Sequence, residues 1–270
     1  MDKYAVFGNP IAHSKSPDIH MHFADQTQQD ISYTRILGDD VEFENQVKDF
    51  FKQGGHGLNV TSPFKDRAYA MCDVLSQRAQ KAGAVNTLMM GKNGELFGDT
   101  TDGVGMVRDI VECHGKAIKG KRVLIIGAGG AVQGILDNVL AEQPESVTIA
   151  NRTVEKAQAL AEKFGCLASS FEALEGTFDI IINGTSASRS SSLPPLKDEL
   201  VNTHSWCYDM TYGKGTTVFL QWAIDHGASG VDGLGMLIGQ AAESFYIWRQ
   251  VRPDMASLVT SMRQEMEAAN

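Results

Sequence analysis

The chain has 270 residues, 43% of them hydrophobic, and a formal net charge of −9. This length and apolar content are sufficient for two folded domains of ordinary size. The negative charge argues against a nucleic-acid or anionic-membrane surface, because such binding depends on clustered lysine and arginine side chains.

The first hundred residues alternate predicted strands and helices, which is typical of an α/β domain. The predicted segments are KYAVFG, a helix from about Pro17, ISYTRIL, the helix EFENQVKDFFKQ, GLNVT, and a helical stretch after Pro63. AVNTLMMG and GELFGD follow, joined at Lys92-Asn93-Gly94, a turn of hairpin type. The beginning of the chain lacks the pattern of a signal peptide and no apolar run is long enough to span a bilayer, so we expect a cytoplasmic protein.

A second α/β series begins at the helix GVGMVRDIVECHG and includes RVLIIGAGGAVQG, a buried strand that runs into a glycine-rich turn and a helix. Such turns let the backbone approach a pyrophosphate, whose charge then lies at a helix N-terminus. Val132 stands where the usual third glycine would be, so the turn alone also fits another doubly wound domain. The turn residues are Gly127, Ala128, Gly129, Gly130 and Ala131.

The next strand, SVTIA, ends in Asn151-Arg152-Thr153. NAD-binding proteins usually have a carboxylate here that holds the ribose 2'-hydroxyl. Arg152, with Thr153 and Lys156, instead offers donors and positive charge for a 2'-phosphate. A solvated surface arginine is the alternative for Arg152 alone, but strand, turn, helix and arginine in this order indicate NADP.

These patterns predict an α/β protein of two α/β domains, with an active-site cleft between them. Residues 1–101 with 238–270 form a predicted substrate-binding and catalytic domain, and residues 102–237 form a predicted Rossmann-like, doubly wound parallel sheet that binds NADP. The long helical pattern from Leu234 to about Met266 is expected to pack back on the first domain. Ser186 to Ser192, SASRSSS, reads as a surface loop.

Several polar residues among the first hundred lie at positions where ligand binding or catalysis is expected. Ser16-Pro17 predicts an N-cap followed by proline at the first helical position, and with Ser14 it also offers a carboxylate site at a helix N-terminus. Lys65 follows a buried strand and lies in a first helical turn, where the macrodipole disfavours a cation, so it is either a functional group or a solvated lysine.

Asn86 and Asp102 are the other two polar candidates. Asn86, in an apolar strand, needs hydrogen-bond partners or a ligand. Asp102 is either an N-cap or the partner that holds the Lys65 ammonium and favours its charged form.

No metal site is predicted. The cysteines at 72, 113, 166 and 207 lack Cys-x-x-Cys spacing and are expected to be reduced packing residues. His20 and His22, two residues apart on a predicted helix, point to different faces and read as ordinary helix histidines.

Six motifs in order along the chain resemble those of the shikimate dehydrogenases of the bacterial biosynthetic type. They are Ser14-Lys15-Ser16-Pro17, Asn59-Val60-Thr61-x-Pro63-Phe64-Lys65, Gly83-Ala84-Val85-Asn86-Thr87, Thr101-Asp102-Gly103, Asp209-Met210-x-Tyr212, and Asp232-Gly233-Leu234-Gly235-Met236-Leu237. The resemblance covers nearly the whole chain and implies reversible, NADP-dependent reduction of 3-dehydroshikimate to shikimate.

The resemblance also implies residue roles. Lys65 and Asp102 are the implied catalytic pair, with Lys65 as the acid that protonates the developing alkoxide. The implied substrate ligands are Ser14 and Ser16 for the carboxylate, and Thr61, Lys65, Asn86, Asp102 and Gln240 for the ring hydroxyls. The implied cofactor contacts are the 127 to 131 turn, Asn151, Arg152, Thr153 and Lys156 around the adenosine phosphate, and Met210, Tyr212 and Gly233 near the nicotinamide.

Two alternatives stay open at this point. One is a shikimate/quinate dehydrogenase of broader specificity, and the other is a catalytically silent relative that binds a metabolite. Gln240 shares a helix face with Met236, Ser244 and Trp248, and is either a ligand or a polar interruption in a packed stripe. A small-molecule substrate is the expected partner, and the chain is expected to be a monomer or a homodimer.

Overall fold

The computed structural model describes residues 1–185, 187 and 192–268. Packing divides the chain into two compact units: Met1–Gly105 with Ile238–Leu258, and Met106–Leu237 with the residues from Val259 onward. Each unit contains a six-stranded sheet, and the predicted α/β class is confirmed. Most of the loop predicted at Ser186 to Ser192 lies outside the described residues.

The sheet of the first unit is mixed and has the order β2-β1-β3-β5-β6-β4. Its strands are β1 (Asp2–Gly8), β2 (Ile31–Leu37), β3 (Gly55–Val60), β4 (Val74–Leu75), β5 (Thr87–Met90) and β6 (Leu96–Asp99). The strands β1, β2 and β3 are parallel, whereas β5 and β6 form the predicted antiparallel hairpin. The sequence reading missed β4, because two residues are too few to show alternation.

The second sheet has the order β12-β11-β10-β7-β8-β9 and is parallel throughout. Its strands are β7 (Arg122–Ile126), β8 (Ser146–Ala150), β9 (Leu167–Ser169), β10 (Ile180–Asn183), β11 (Trp206–Asp209) and β12 (Ser229–Asp232). Strand order therefore grows outward from β7 in one direction and from β10 in the other, as in doubly wound dinucleotide-binding sheets. Val123 and Ile125 of β7 pack in one apolar cluster and Leu124 and Ile126 in another, so both faces of the sheet are covered.

Ten α-helices are described. They are α1 (Ser16–Thr27), α2 (Phe43–Lys52), α3 (Lys65–Met71), α4 (Gln77–Ala82), α5 (Asp102–Arg108), α6 (Gly130–Ala141), α7 (Val154–Phe164), α8 (Val218–Asp225), α9 (Leu234–Arg249) and α10 (Ala256–Ala268). A π-helical turn, Asp109–Cys113, continues α5. None of the helices in the described ranges is long and apolar enough to cross a membrane.

The C-terminal helical pattern is two helices, where the sequence reading expected one. Gln250 adopts a left-handed conformation (φ 57°) at the end of α9, and Pro253 follows before α10 begins. Packing assigns Ile238–Leu258 to the first unit and the residues from Val259 onward to the second, so α10 begins in the first unit and continues in the second, whereas the sequence reading put 238–270 in the first domain. Arg263 of α10 forms an ion pair with Asp232 of the second unit.

The cysteines at 72, 113, 166 and 207 are free, as expected. Burial raises the pKa of the Cys72 and Cys207 thiols to about 12 and that of Cys113 to about 11. These thiols therefore stay protonated at neutral pH and act as packing groups.

Two glycines let α5 and α9 approach closely within the first unit. A Cβ atom on Gly105 would lie 2.3 Å from the backbone nitrogen of Gln240, and one on Gly239 would lie 2.6 Å from the carbonyl oxygen of Gly105. Asp102 lies one helical turn before Gly105, so this helix contact sets the spacing between the segments that carry Asp102 and Gln240.

We therefore expect Gly239→Ala to lower the free energy of unfolding by about 1–3 kcal/mol, the usual cost of overpacking. Urea denaturation of the variant and the parent measures this change. Gly213→Ala is the matched control, because a Cβ there meets no atom within 4 Å. Equal denaturation midpoints for Gly239→Ala and the parent would contradict the close approach.

Candidate functional site

The structure brings Lys65 and Asp102 together. Lys65 is the first residue of α3 and Asp102 the first residue of α5. The Lys65 Nζ donates a hydrogen bond to Asp102 Oδ2 at 2.6 Å. The Lys65 and Asp102 side chains retain 30% and 17% of their exposure, so the pair is held by the fold but remains open to a small molecule.

Asn86 fixes the other oxygen of the Asp102 carboxylate. Its Nδ2 donates to Asp102 Oδ1 at 3.0 Å and to Thr101 Oγ1 at 2.9 Å. Its Oδ1 accepts from the Thr101 backbone nitrogen at 3.0 Å and from Thr87 Oγ1 at 2.8 Å. The amide is thus oriented from both ends, and Asp102 has one oxygen for Asn86 and one for Lys65.

A buried layer of hydroxyls and amides lies behind these residues. Ser244 Oγ donates to the Gln240 carbonyl oxygen at 3.0 Å and lies 2.8 Å from Thr87 Oγ1 and 3.2 Å from Thr101 Oγ1. Asn59 Nδ2 donates to Ser244 Oγ at 3.0 Å. Sequence reasoning did not assign Asn59 or Ser244 a role; the available signal was a polar residue within a buried apolar run, which requires partners.

Asn59 connects this layer to His20 and Tyr33. Its Oδ1 accepts from Tyr33 Oη at 2.7 Å and lies 3.1 Å from His20 Nε2. Because a carbonyl oxygen only accepts, His20 carries its proton on Nε2, and its buried Nδ1 has no partner in the described part of the chain. Burial lowers the pKa of His20 to about 3 and raises the pKa of Tyr33 well above its ordinary value, so both rings are uncharged at neutral pH.

Ser14, Ser16 and Thr61 follow the carboxyl ends of β1 and β3, two neighbouring parallel strands. Ser14 Oγ donates to Ser16 Oγ at 3.2 Å and accepts from the Ser16 backbone nitrogen at 3.3 Å. The expected N-cap role of Ser16 is wrong: α1 begins at Ser16 itself, with Lys15 at the N-cap and no side-chain cap bond. The Ser16 hydroxyl is therefore not used for capping.

The glycine turn in the second unit follows β7. Gly127 has φ +108° and donates from its backbone nitrogen to the Ala150 carbonyl oxygen at 2.8 Å, which ties the turn to β8. Gly129 is the N-cap residue of α6 and Gly130 its first residue. A Cβ at either position would meet no atom within 4 Å, so packing does not demand glycine there, and the open space at a helix N-terminus fits a pyrophosphate.

Asn151, Arg152, Thr153 and Lys156 follow β8, which pairs with β7 in parallel, so they lie at the same sheet edge as the glycine turn. Asn151 Nδ2 donates to the Thr153 carbonyl oxygen at 2.8 Å, and Thr153 is the N-cap residue of α7. Arg152 is exposed. An exposed guanidinium beside this turn fits the 2'-phosphate of NADP.

The residues expected near the nicotinamide follow β11 and β12. The Gly233 backbone nitrogen donates to the Thr211 carbonyl oxygen at 3.2 Å. A Cβ on Gly233 would lie 2.4 Å from the Met210 carbonyl oxygen, so the two backbone segments approach closely. Tyr212, in the same loop, is 37% exposed.

Comparison with known proteins assigns the chain to a family. Three family models match it: the shikimate dehydrogenase substrate binding domain at residues 6–88, shikimate / quinate 5-dehydrogenase at 109–194, and the shikimate 5'-dehydrogenase C-terminal domain at 233–267. A Chromohalobacter salexigens protein named shikimate dehydrogenase (NADP(+)) is 52% identical over 269 residues, which cover 98% of this chain and 99% of that protein. The chain belongs to the shikimate dehydrogenase family.

Solved structures agree with this assignment. The structure of an Ael1 enzyme from Pseudomonas putida is similar with 44% identity and a TM-score of 0.93, covering 97% of this chain and 98% of that chain. Shikimate 5-dehydrogenase from Thermus thermophilus, in complex with NADP(H) and shikimate, is 32% identical with a TM-score of 0.88 and covers 98% and 99% of the two chains. This member of the shikimate dehydrogenase family thus shares the fold of its relatives over almost the full length.

The buried state of His20 predicts a pH-dependent stability. The unfolded chain binds a proton at this ring near pH 6.5, whereas the folded chain binds it only near pH 3. The free energy of unfolding should therefore fall as the pH decreases from about 6.5, with His20 contributing at most about 1.4 kcal/mol per pH unit.

Urea denaturation between pH 7 and pH 5 measures this dependence in the parent and in His20→Gln, whose amide can still donate to Asn59. The variant should show a shallower decrease. His22→Gln, an exposed position on the same helix, serves as the control and should retain the parent slope. Identical slopes for His20→Gln and the parent would exclude His20 as the source.

Proposed function

We propose that the chain is an NADP-dependent shikimate dehydrogenase that catalyses the reversible reduction of 3-dehydroshikimate to shikimate, a step toward chorismate and the aromatic amino acids. The observation that supports this reaction most directly is the Lys65–Asp102 ion pair oriented by Asn86. It offers a proton donor and a hydroxyl-binding carboxylate in a fixed geometry, next to strand ends where α/β sheets bind ligands.

When bound, NADPH supplies the hydride that reduces the ketone carbon. Lys65 donates a proton from Nζ to the oxygen that becomes the hydroxyl, which avoids a free alkoxide. Asp102 holds that ammonium through Oδ2 and accepts a hydrogen bond from the neighbouring ring hydroxyl. In the reverse direction the Lys65 amine takes the proton back, so the same pair serves shikimate oxidation.

The remaining substrate ligands follow from the family. Ser14 and Ser16 would bind the substrate carboxylate, because two adjacent hydroxyls at the start of α1 lie where helix amides attract an anion. Thr61 and Gln240 would bind ring hydroxyls with Lys65, Asn86 and Asp102. Asn86 already donates both its amide hydrogens to protein atoms, so its first contribution is to orient Asp102.

Cofactor binding is proposed for the second unit. The turn from Gly127 to Ala131 would hold the pyrophosphate, and Asn151, Arg152, Thr153 and Lys156 the adenosine 2'-phosphate. Met210, Tyr212 and Gly233 would line the nicotinamide position. The open space beside Gly129 and Gly130 and the exposed Arg152 are the observations that support this assignment.

The proposal extends to assembly and location. All proposed substrate ligands belong to the first unit of one chain and all proposed cofactor ligands to its second unit, so a single chain supplies the full set. Either a monomer or a homodimer is therefore compatible with activity. Free thiols and a small-molecule biosynthetic reaction fit the cytoplasm.

Removing the proton donor is the central test. Lys65→Ala should lower the turnover number by about a hundredfold to ten-thousandfold, the range of general acid catalysis. The turnover number is measured from NADP reduction at 340 nm with shikimate. Quinate and NAD serve as comparison substrates. Lys48→Ala, an exposed lysine on α2, should retain parent activity. Turnover of Lys65→Ala within a few-fold of the parent would refute the assigned role.

The cofactor preference is tested at Arg152. One charge-assisted hydrogen bond is worth about 1.5–3 kcal/mol, or roughly tenfold to a hundred-and-fiftyfold in affinity. Arg152→Ala should weaken NADP binding by such a factor and leave NAD binding nearly unchanged in fluorescence titrations. Lys163→Ala, an exposed lysine of α7, is the control. Equal losses for NADP and NAD would contradict a contact to the 2'-phosphate.

A further inference from the structure

The second sheet ends in a row of polar side chains. Asn183, Asp209 and Asp232 are the last residues of β10, β11 and β12, and they stand opposite one another in register. All three residues are buried. Since the carboxyl ends of parallel strands carry the ligand-binding loops, these residues lie directly beneath the loops that follow them.

Asp209 anchors the first of these loops. Its Oδ1 accepts from the Thr211 backbone nitrogen at 3.0 Å and from Asn183 Nδ2 at 3.2 Å, and its Oδ2 accepts from Thr217 Oγ1 at 2.6 Å. The segment from Met210 to Thr217 is therefore held at both ends by one carboxylate.

Asp232 anchors the second loop and joins it to the first. Its Oδ1 accepts from the Leu234 backbone nitrogen at 3.2 Å, and its Oδ2 accepts from the Gly213 backbone nitrogen at 3.4 Å. The Asp232 side chain is only 4% exposed. A carboxylate this buried requires a cation or several donors to offset its lost hydration.

The cation comes from the C-terminal helix. Arg263 of α10 pairs through Nη2 with Asp232 Oδ1 and donates from Nη1 to the Gly213 carbonyl oxygen at 3.4 Å. One planar guanidinium thus bridges the end of β12 and the middle of the other loop. The Arg263 guanidinium, the Asp232 carboxylate and the Gly213 backbone form a closed cycle of hydrogen bonds, because Gly213 also donates to Asp232.

We propose that Arg263 is a positioning residue that holds the Met210–Tyr212 and Gly233 segments in register, so that α10 takes part in placing the nicotinamide. This inference rests on the proposed function, which assigns Met210, Tyr212 and Gly233 to the nicotinamide position. Arg263 itself acts through Asp232 and Gly213 and is not assigned any contact with the cofactor.

The bridge needs a guanidinium, since only a fork of donors reaches the carboxylate and the carbonyl oxygen together. Arg263→Met keeps the apolar stem and removes both bonds. Arg263→Lys keeps a cation for the buried Asp232 carboxylate but supplies a single donor position, so it retains the fold and loses the bridge to Gly213. Gln264→Met, at the exposed neighbouring position of α10, is the matched control.

The experiment compares ligands that do and do not contain the nicotinamide. For each variant we would titrate NADPH and 2',5'-ADP, which carries only the adenosine phosphates, and then measure kcat with 3-dehydroshikimate and the primary isotope effect with deuterated NADPH. Arg263→Met should bind NADPH more weakly, bind 2',5'-ADP like the parent, and lose about tenfold to a hundredfold in kcat, the range that a misplacement of about 1 Å can cause. The isotope effect should rise as hydride transfer becomes limiting.

Arg263→Lys should show the same changes in NADPH binding, kcat and isotope effect, each of them smaller. If Arg263→Met does not fold, the measurements on Arg263→Lys test the inference. Two outcomes would overturn the inference: parent-like NADPH binding and kcat in Arg263→Lys and in any folded Arg263→Met, or parallel losses for NADPH and 2',5'-ADP, which would indicate a general structural role. Failure of the proposed function is a different result, because the parent chain would then not oxidise NADPH with 3-dehydroshikimate at all.

Discussion

The geometry of the first unit depends on the saturated amide of Asn86. Both ends of this side chain are used, so it has a single orientation, and that orientation points one hydrogen at Asp102. Asp102 in turn has a single oxygen left for Lys65. Asn86 directly precedes β5, and Thr101 and Asp102 follow β6, so the backbone pairing of these two strands helps to set the position of the ion pair.

The two units share one feature, polar residues at the carboxyl ends of strands, and the proposed function assigns a different ligand to each unit. In the first sheet Ser14, Ser16, Thr61 and Lys65 follow β1 and β3. In the second sheet, glycines after β7 leave room for an anion, while Asp209 and Asp232 turn inward to hold loops. In the proposed function, the partly exposed Ser14, Thr61 and Lys65 are available to a ligand, whereas the buried Asp209 and Asp232 fix the loops that follow their strands.

Local sequence patterns predicted the doubly wound sheet and the hairpin, but they could not predict contacts between residues far apart in the sequence. The doubly wound sheet and the hairpin at Lys92–Gly94 follow from residues close in sequence, and Lys65 was correctly placed in a first helical turn. The bonds from Asn59 to Ser244, 185 residues apart, and from Asp232 to Arg263 depend on tertiary packing that no spacing rule contains. The break between α9 and α10 was signalled by Pro253, but the periodicity on either side concealed it.

Helix electrostatics explain why Lys65 and Asp102 form an unequal pair. Each side chain belongs to the first residue of a helix, where the macrodipole favours a carboxylate and disfavours an ammonium. Asp102 is therefore stabilised by its own helix and by Asn86, whereas the Lys65 ammonium opposes the dipole of α3 and depends on Asp102 to offset it. In the proposed reaction, Asp102 therefore fixes the direction of the Lys65 Nζ that donates the proton, because it is the hydrogen-bond partner that holds the ammonium.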